Sequence, residues 1–159
     1  MKNIITFLAM MAISVSVFSQ SKNYERDETA VAAKFKELIT IENQGDSLAV
    51  RKMVWQGPDL LFIATGKADV NGYVGLGTND AMKHFELLYG AHINISPDWN
   101  QQKISFLSKD VARIFVPVAL SFPNRPTSTP FYLVTDWIRQ GKEWKLASHI
   151  GFPVPPKIN

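Results

Sequence analysis

The chain contains no cysteine, so a disulfide framework, a thiol nucleophile, a thiolate metal ligand and an N-terminal lipid anchor are all closed to it. Its stability has to come from an ordinary hydrophobic core. Charge of one sign is also scarce: 17 Lys and Arg stand against 14 Asp and Glu in 159 residues, and no basic run is longer than a pair. That leaves no electrostatic footprint for a nucleic-acid partner or for an anionic membrane surface. There is no internal repeat and no low-complexity segment. The three histidines, His84, His92 and His149, lack metal-ligand spacing and no D-x-D pair joins them, so no metal is expected. No cofactor is expected either, because the G-L-G of Gly75 to Gly77 has Asp80 where a dinucleotide loop needs its third glycine. No serine sits in a G-x-S-x-G elbow.

Long apolar runs are confined to the N-terminus. Lys2 precedes an apolar stretch from Ile4 to Phe18, too short to span a bilayer comfortably and suited to the core of a signal peptide. With Val17 at the minus-three position, cleavage is expected after Ser19. The expected organisation is therefore a signal peptide over 1–19 and one globular domain over 20–159. Such a protein is exported, to the periplasm or the outside, with no membrane partner after processing.

Beyond a polar leader, Val31, Phe35, Leu38 and Ile39 recur at helical spacing, and Gly45 stands where a left-handed residue would end the helix. Asp46-Ser47 can cap a short second helix that stops before Gly57-Pro58, with Trp55 closing it as a core anchor or a ligand contact. DLLFIATG reads as a strand, GKADVNGYVGLG as a glycine-punctuated connection, and TNDAMKHFELLYG as a third helix capped by Thr78. From His92 onward the pattern is β. Ala112, Ile114, Val116, Val118 and Leu120 make one aliphatic face, and Pro117 demands a bulge or an edge. PVPPKIN is a tail that does not extend the sheet.

The most informative stretch is Phe131 to Phe152, a long hairpin around Gln140-Gly141. A two-residue loop there sets Trp137 against Trp144, Thr135 against Leu146 and Leu133 against Ser148 on one greasy face. Asp136 with Lys145 and Tyr132 with His149 then fall on the other face, whose mixture of apolar and charged groups suits a homodimer contact. Asp136 and His149 reach a pocket only if a bulge re-aims the strand.

Helix, short helix, strand, helix and a run of long antiparallel strands is an α+β order. With the ending W-I-R-Q-G-K-E-W-K-L and the passage from DLLFIATG to GTNDAMKHF, it resembles the NTF2-like superfamily, in particular its SnoaL-like and steroid-isomerase-like branch. The resemblance implies a cone-shaped, cystatin-like α+β fold: a curved antiparallel sheet wrapped around three helices, with an apolar pocket between. It also implies frequent homodimers, and functions from isomerase, cyclase and dehydratase to binding without catalysis. Where the isomerase branch offers an acid, this chain has Thr135. The expected function is accordingly a secreted module binding a small apolar ligand, through Thr135, Trp137, Ser148, Tyr89, His84 and Trp55. The alternatives are an acid–base enzyme using Asp136 or His149, and a dimeric interaction module without a ligand.

Overall fold

The structure, a computed structural model, describes residues 25–65, 72–124 and 128–155. The expected signal peptide and its cleavage site lie outside the described residues. Helix α1 occupies 25–44 and buries Val31, Phe35, Leu38 and Ile39. It ends at Gly45, whose φ of 70° is the left-handed stop expected. Asp46 then caps α2 (Ser47–Met53), its carboxylate accepting the Ala49 N–H at 2.9 Å.

Strand β1 (Leu61–Ala64) pairs antiparallel with β2 (Tyr73–Leu76). The supposed glycine-rich connection thus ends in a strand. Its glycine at 75 has a reason: a side chain there would come within 3.1 Å of the backbone of Asp80 and Ala81 in α3 (Thr78–Gly90), so β2 lies close on that helix. Thr78 does not cap α3, since Gly77 holds the cap position without a side-chain bond. Its hydroxyl instead accepts the Gly57 N–H at 3.0 Å and lies 3.2 Å from the carbonyl oxygens of Trp55 and Gly57, tying the helix start to the turn after α2.

The rest is strand: β3 (Asn94–Pro97), β4 (Lys103–Ser108) after a 3₁₀ turn, β5 (Val111–Ser121), β6 (Thr129–Gln140) and β7 (Glu143–Pro153). The seven strands run in the order β2-β1-β7-β6-β5-β3, with β4 also on β5. All pairings are antiparallel save β1 with β7, so the sheet is mixed. Pro117 falls between the part of β5 paired to β4, which ends at Phe115, and the part paired to β3, which starts at Val118. The missing N–H therefore sits at the gap between two neighbours, the edge solution for a strand proline. β7 runs to Pro153, opposite Phe131, further into the proline-rich tail than its sequence suggests.

The helices and the sheet's inner face share one core, from Phe35 and Leu38 of α1 through Phe62 of β1 and Phe85 of α3 to Ile114, Leu133, Trp137, Trp144 and Leu146. The outer face carries an apolar row in register across five strands: Val74, Ile63, Ile150, Val134 and Phe115.

The hairpin turns one residue later than expected, over Gly141-Lys142, with Gln140 opposite Glu143 and Gly141 at φ 64°. A glycine at the first central position is what a type II′ turn needs. Partners therefore differ from the expected ones, Arg139 facing Trp144 and Trp137 facing Leu146. The faces survive, because a displacement of two residues preserves the side-chain period. They survive only as far as Leu146. There the register breaks: Trp137 faces Leu146 but Asp136 faces Ser148, leaving Ala147 as an extra residue. Beyond this β-bulge the faces exchange, and His149 stands opposite Thr135 on the inner face rather than beside Tyr132 on the outer one.

Candidate active site

Glu42 projects from the last turn of α1, continuing at i+3 and i+4 the stripe made by Leu38 and Ile39, and it is only 2% exposed. The helix end that carries it is clamped to the sheet by Asn43, whose amide donates to Ile95 O at 2.9 Å and accepts from Ile95 N at 2.7 Å. From β7 comes His149, 6% exposed, with Nε2 3.3 Å from Glu42 Oε1 but not aligned as a hydrogen bond. α3 supplies His84, the residue before Phe85, and Tyr89, one helical turn after it.

Aromatic rings hold these groups in place. Phe62 stacks on His149 at 4.8 Å and 8°, and meets His84 at 4.5 Å. Tyr73 stacks on the other histidine at 4.2 Å, fixed by its own hydroxyl on Asp80 O at 2.7 Å. Phe85 sets its edge to His149 and lies 6.1 Å from the Tyr89 ring. Both oxygens of Glu42, both ring nitrogens of His84 and His149, and the Tyr89 hydroxyl are buried, and among the described residues none has a hydrogen-bond partner. A buried polar atom left in that state costs about 1–3 kcal/mol, and folded proteins hold few of them. Here seven lie on four residues, of which Glu42 and His149 face each other.

The electrostatics keep two of the four neutral. Burial, and after it the neighbouring His149, pulls the His84 imidazole down to about 4. Burial, reinforced by the negative charge of Glu42 and Asp46, pushes the Tyr89 hydroxyl far above its usual range. Near neutral pH His84 is thus an uncharged imidazole and Tyr89 a phenol with its proton.

The His84 effect predicts a pH dependence of stability. Unfolded, this side chain takes up a proton near 6.5; folded, near 4. The unfolded state therefore binds more protons in that window, and stability, full above about 6.5, falls as the pH drops toward 4. Allowing for the partial exposure of the ring, a loss of about 1–2 kcal/mol is expected. It would show as a falling urea midpoint, and His84→Phe should flatten that part of the profile.

Of the side chains singled out from the sequence, His149, His84 and Tyr89 come together here. Thr135 and Trp137 lie on the same inner face, both fully buried, and satisfy each other through Trp137 Nε1 donating to Thr135 Oγ1 at 2.9 Å. Trp55 is half-buried on the segment after α2, its backbone N–H donating to Leu146 O at 2.8 Å. Ser148 and Asp136 are on the outer face, opposite each other. Asp136 forms an ion pair, but with Arg113 at 2.7 Å rather than with Lys145, which reaches Glu143 and Lys52 O. Glu42 was missed. The signal for it was an acid on the apolar stripe of an amphipathic helix.

No family model and no curated protein matches the sequence. Solved structures do match. A protein of the NTF2-like family from Streptomyces avermitilis, provisionally named a dehydratase, superimposes with a TM-score of 0.71 at 15% identity, over 83% of this chain and 99% of its own. A protein from Novosphingobium aromaticivorans provisionally named scytalone dehydratase gives 0.67 at 9% identity, over 85% and 89%. An NTF2-like protein of unknown function from Pseudomonas putida gives 0.65 at 11% identity, over 79% and 85%. At these identities the likeness concerns the backbone, and with the curved sheet, the three helices and the order of strands it establishes that this chain has the NTF2-like fold.

Proposed function

We propose that this protein is an acid–base enzyme that moves protons on a small, mainly apolar substrate, eliminating water or shifting a double bond, with Glu42 and His149 as the proton-handling pair. The observation that carries this reading is the concentration of unpartnered buried polar atoms on Glu42, His84, Tyr89 and His149. A core has no use for such an arrangement, whereas a reacting molecule satisfies it. Two of the proteins that share the fold carry dehydratase names, and the same chemistry suits these four residues.

With Nε2 turned toward Glu42, the carboxylate selects the Nε2–H tautomer and leaves Nδ1 of His149 with the lone pair that takes a proton from carbon. Glu42 then stabilises the imidazolium formed. His84 and Tyr89, neutral at that pH, hydrogen-bond the substrate oxygen on which charge develops. Returned through His149, the proton leaves with a departing hydroxyl as water, or is delivered to a second carbon. The rings of Phe62, Tyr73 and Phe85 form the apolar surround, in which each of these interactions is stronger than in water.

The purified protein, incubated in D₂O with a panel of small cyclic ketones and β-hydroxy ketones, should place deuterium next to the carbonyl of at least one of them or release water from it, followed by NMR. Saturable binding without any exchange would replace the enzyme by a ligand-binding module, the reading first favoured by the sequence.

A further inference from the structure

On the face of the sheet opposite the histidines lies a small polar group with a geometric role. Asp136 and Ser148 bond reciprocally: the Asp136 N–H donates to Ser148 Oγ at 3.1 Å, and the Ser148 hydroxyl donates to Asp136 Oδ2 at 3.0 Å. Arg113, on β5, closes on the same carboxylate with two bonds, Nε to Oδ1 at 2.7 Å and a terminal nitrogen to Oδ2 at 3.0 Å. The three residues are in register across three strands, Arg113 opposite Asp136 and Asp136 opposite Ser148. The Asp136–Ser148 pair is also the first one past the bulge. Had β7 continued in the register of Trp137 with Leu146, Ala147 would face Asp136, Ser148 would face Thr135 inside, and His149 would face Val134 outside. The extra residue exchanges the last two, sending the hydroxyl out and the imidazole in.

We propose that Arg113, Asp136 and Ser148 form an outer-face clasp that selects the bulged register of β7 and thereby points His149 at Glu42. They are positioning residues: they touch none of the reacting groups and act through the strand. In the regular register Ser148 would be turned away from Asp136, and the carboxylate would lose the hydroxyl donor. In the bulged register it gains that donor, while the bidentate guanidinium, which β5 supplies in either register, holds the carboxylate in the orientation that the hydroxyl meets. On the inner face, by contrast, His149 arrives with neither nitrogen in an aligned hydrogen bond among the described residues. The polar interactions that favour the bulge are therefore on the outside.

The catalytic meaning of the clasp rests on the function proposed above, whereas its geometric claim does not. The test reads the His149 ring directly. In the wild-type protein its carbon-bound protons lie against the face of Phe62 and should resonate well away from those of a solvent-exposed imidazole. Ser148→Ala should move them toward exposed values while the fold, followed by circular dichroism, is kept, and Ser148→Thr, which keeps a hydroxyl, should restore them. Arg113→Gln, at a half-exposed site, should give an intermediate shift and serves as the deciding variant if Ser148→Ala does not fold. Where proton exchange is measurable, Ser148→Ala should lower kcat by about 10–100-fold with KM little changed, the signature of a displaced base. A lowered melting temperature with unmoved His149 signals would show a purely structural role and overturn the proposal. Moved signals in a protein with no turnover would uphold the clasp and reject the enzyme.

Discussion

Alanine in place of His149 should reduce proton transfer by roughly 10²–10⁴-fold, the usual contribution of a positioned acid or base. Glu42→Gln should do nearly as much with almost no change of volume, because an amide can donate to Nε2 and favour the wrong tautomer. The double variant should be little worse than either single one, since a base and the group that orients it act as a unit. Initial rates of exchange or elimination decide it, with the substrate Kd measured alongside to separate binding from chemistry. Activity within threefold of wild type in both single variants would remove the pair from the mechanism. Glu42→Gln should also keep or raise stability, for it takes a charge out of a site where that charge has no aligned partner.

The largest loss of stability is expected from Trp137→Ala, about 3–5 kcal/mol. The ring is fully buried at the centre of the inner face, opposite Leu146, and its N–H is the donor to Thr135. Truncation therefore leaves a cavity and removes the Thr135 bond together. Trp137→Phe should keep most of the packing and cost markedly less. Urea unfolding with unchanged m-value would report the difference, and a loss below about 1 kcal/mol for the alanine variant would mean that the ring is not the core anchor described here.

Much of this architecture could be read before any coordinates, because it depends on periodicity. The stripe on α1, the aliphatic face of β5 and the alternation in the hairpin all follow from 3.6 and 2.0 residues per repeat. Even a turn placed one residue early left Trp137, Thr135, Trp144 and Leu146 on their correct face. What could not be read is what periodicity does not encode. A bulge adds one residue without a composition of its own: nothing in K-L-A-S-H-I marks Ala147 as unpaired, since the bonds that favour the bulge come from Asp136 on the neighbouring strand. The glycines of GKADVNGYVGLG read as the punctuation of a connection, whereas the one at 75 lies in β2 and lets α3 approach. Glu42 was on the page as an anomaly of pattern. A search for apolar positions passes over an acid, although a carboxylate on an apolar stripe is the stronger hint of chemistry.

The extra residue in β7 also bears on how such a protein changes through evolution. Losing Ala147 would let Leu146, Ser148 and His149 alternate regularly, with the imidazole still in and the hydroxyl still out, whereas keeping Ala147 in a strand without the bulge would turn the imidazole out and the hydroxyl in. Whether the interior presents a base is thus decided by the residue count and the bulge together. Two sequences could share every polar residue described here and still differ in their chemistry by one inserted residue that no bulge absorbs. A comparison that scores substitutions alone would rank them as near twins, so gaps at this point of the last hairpin are the first place to look when sorting enzymes from binders among chains of this fold.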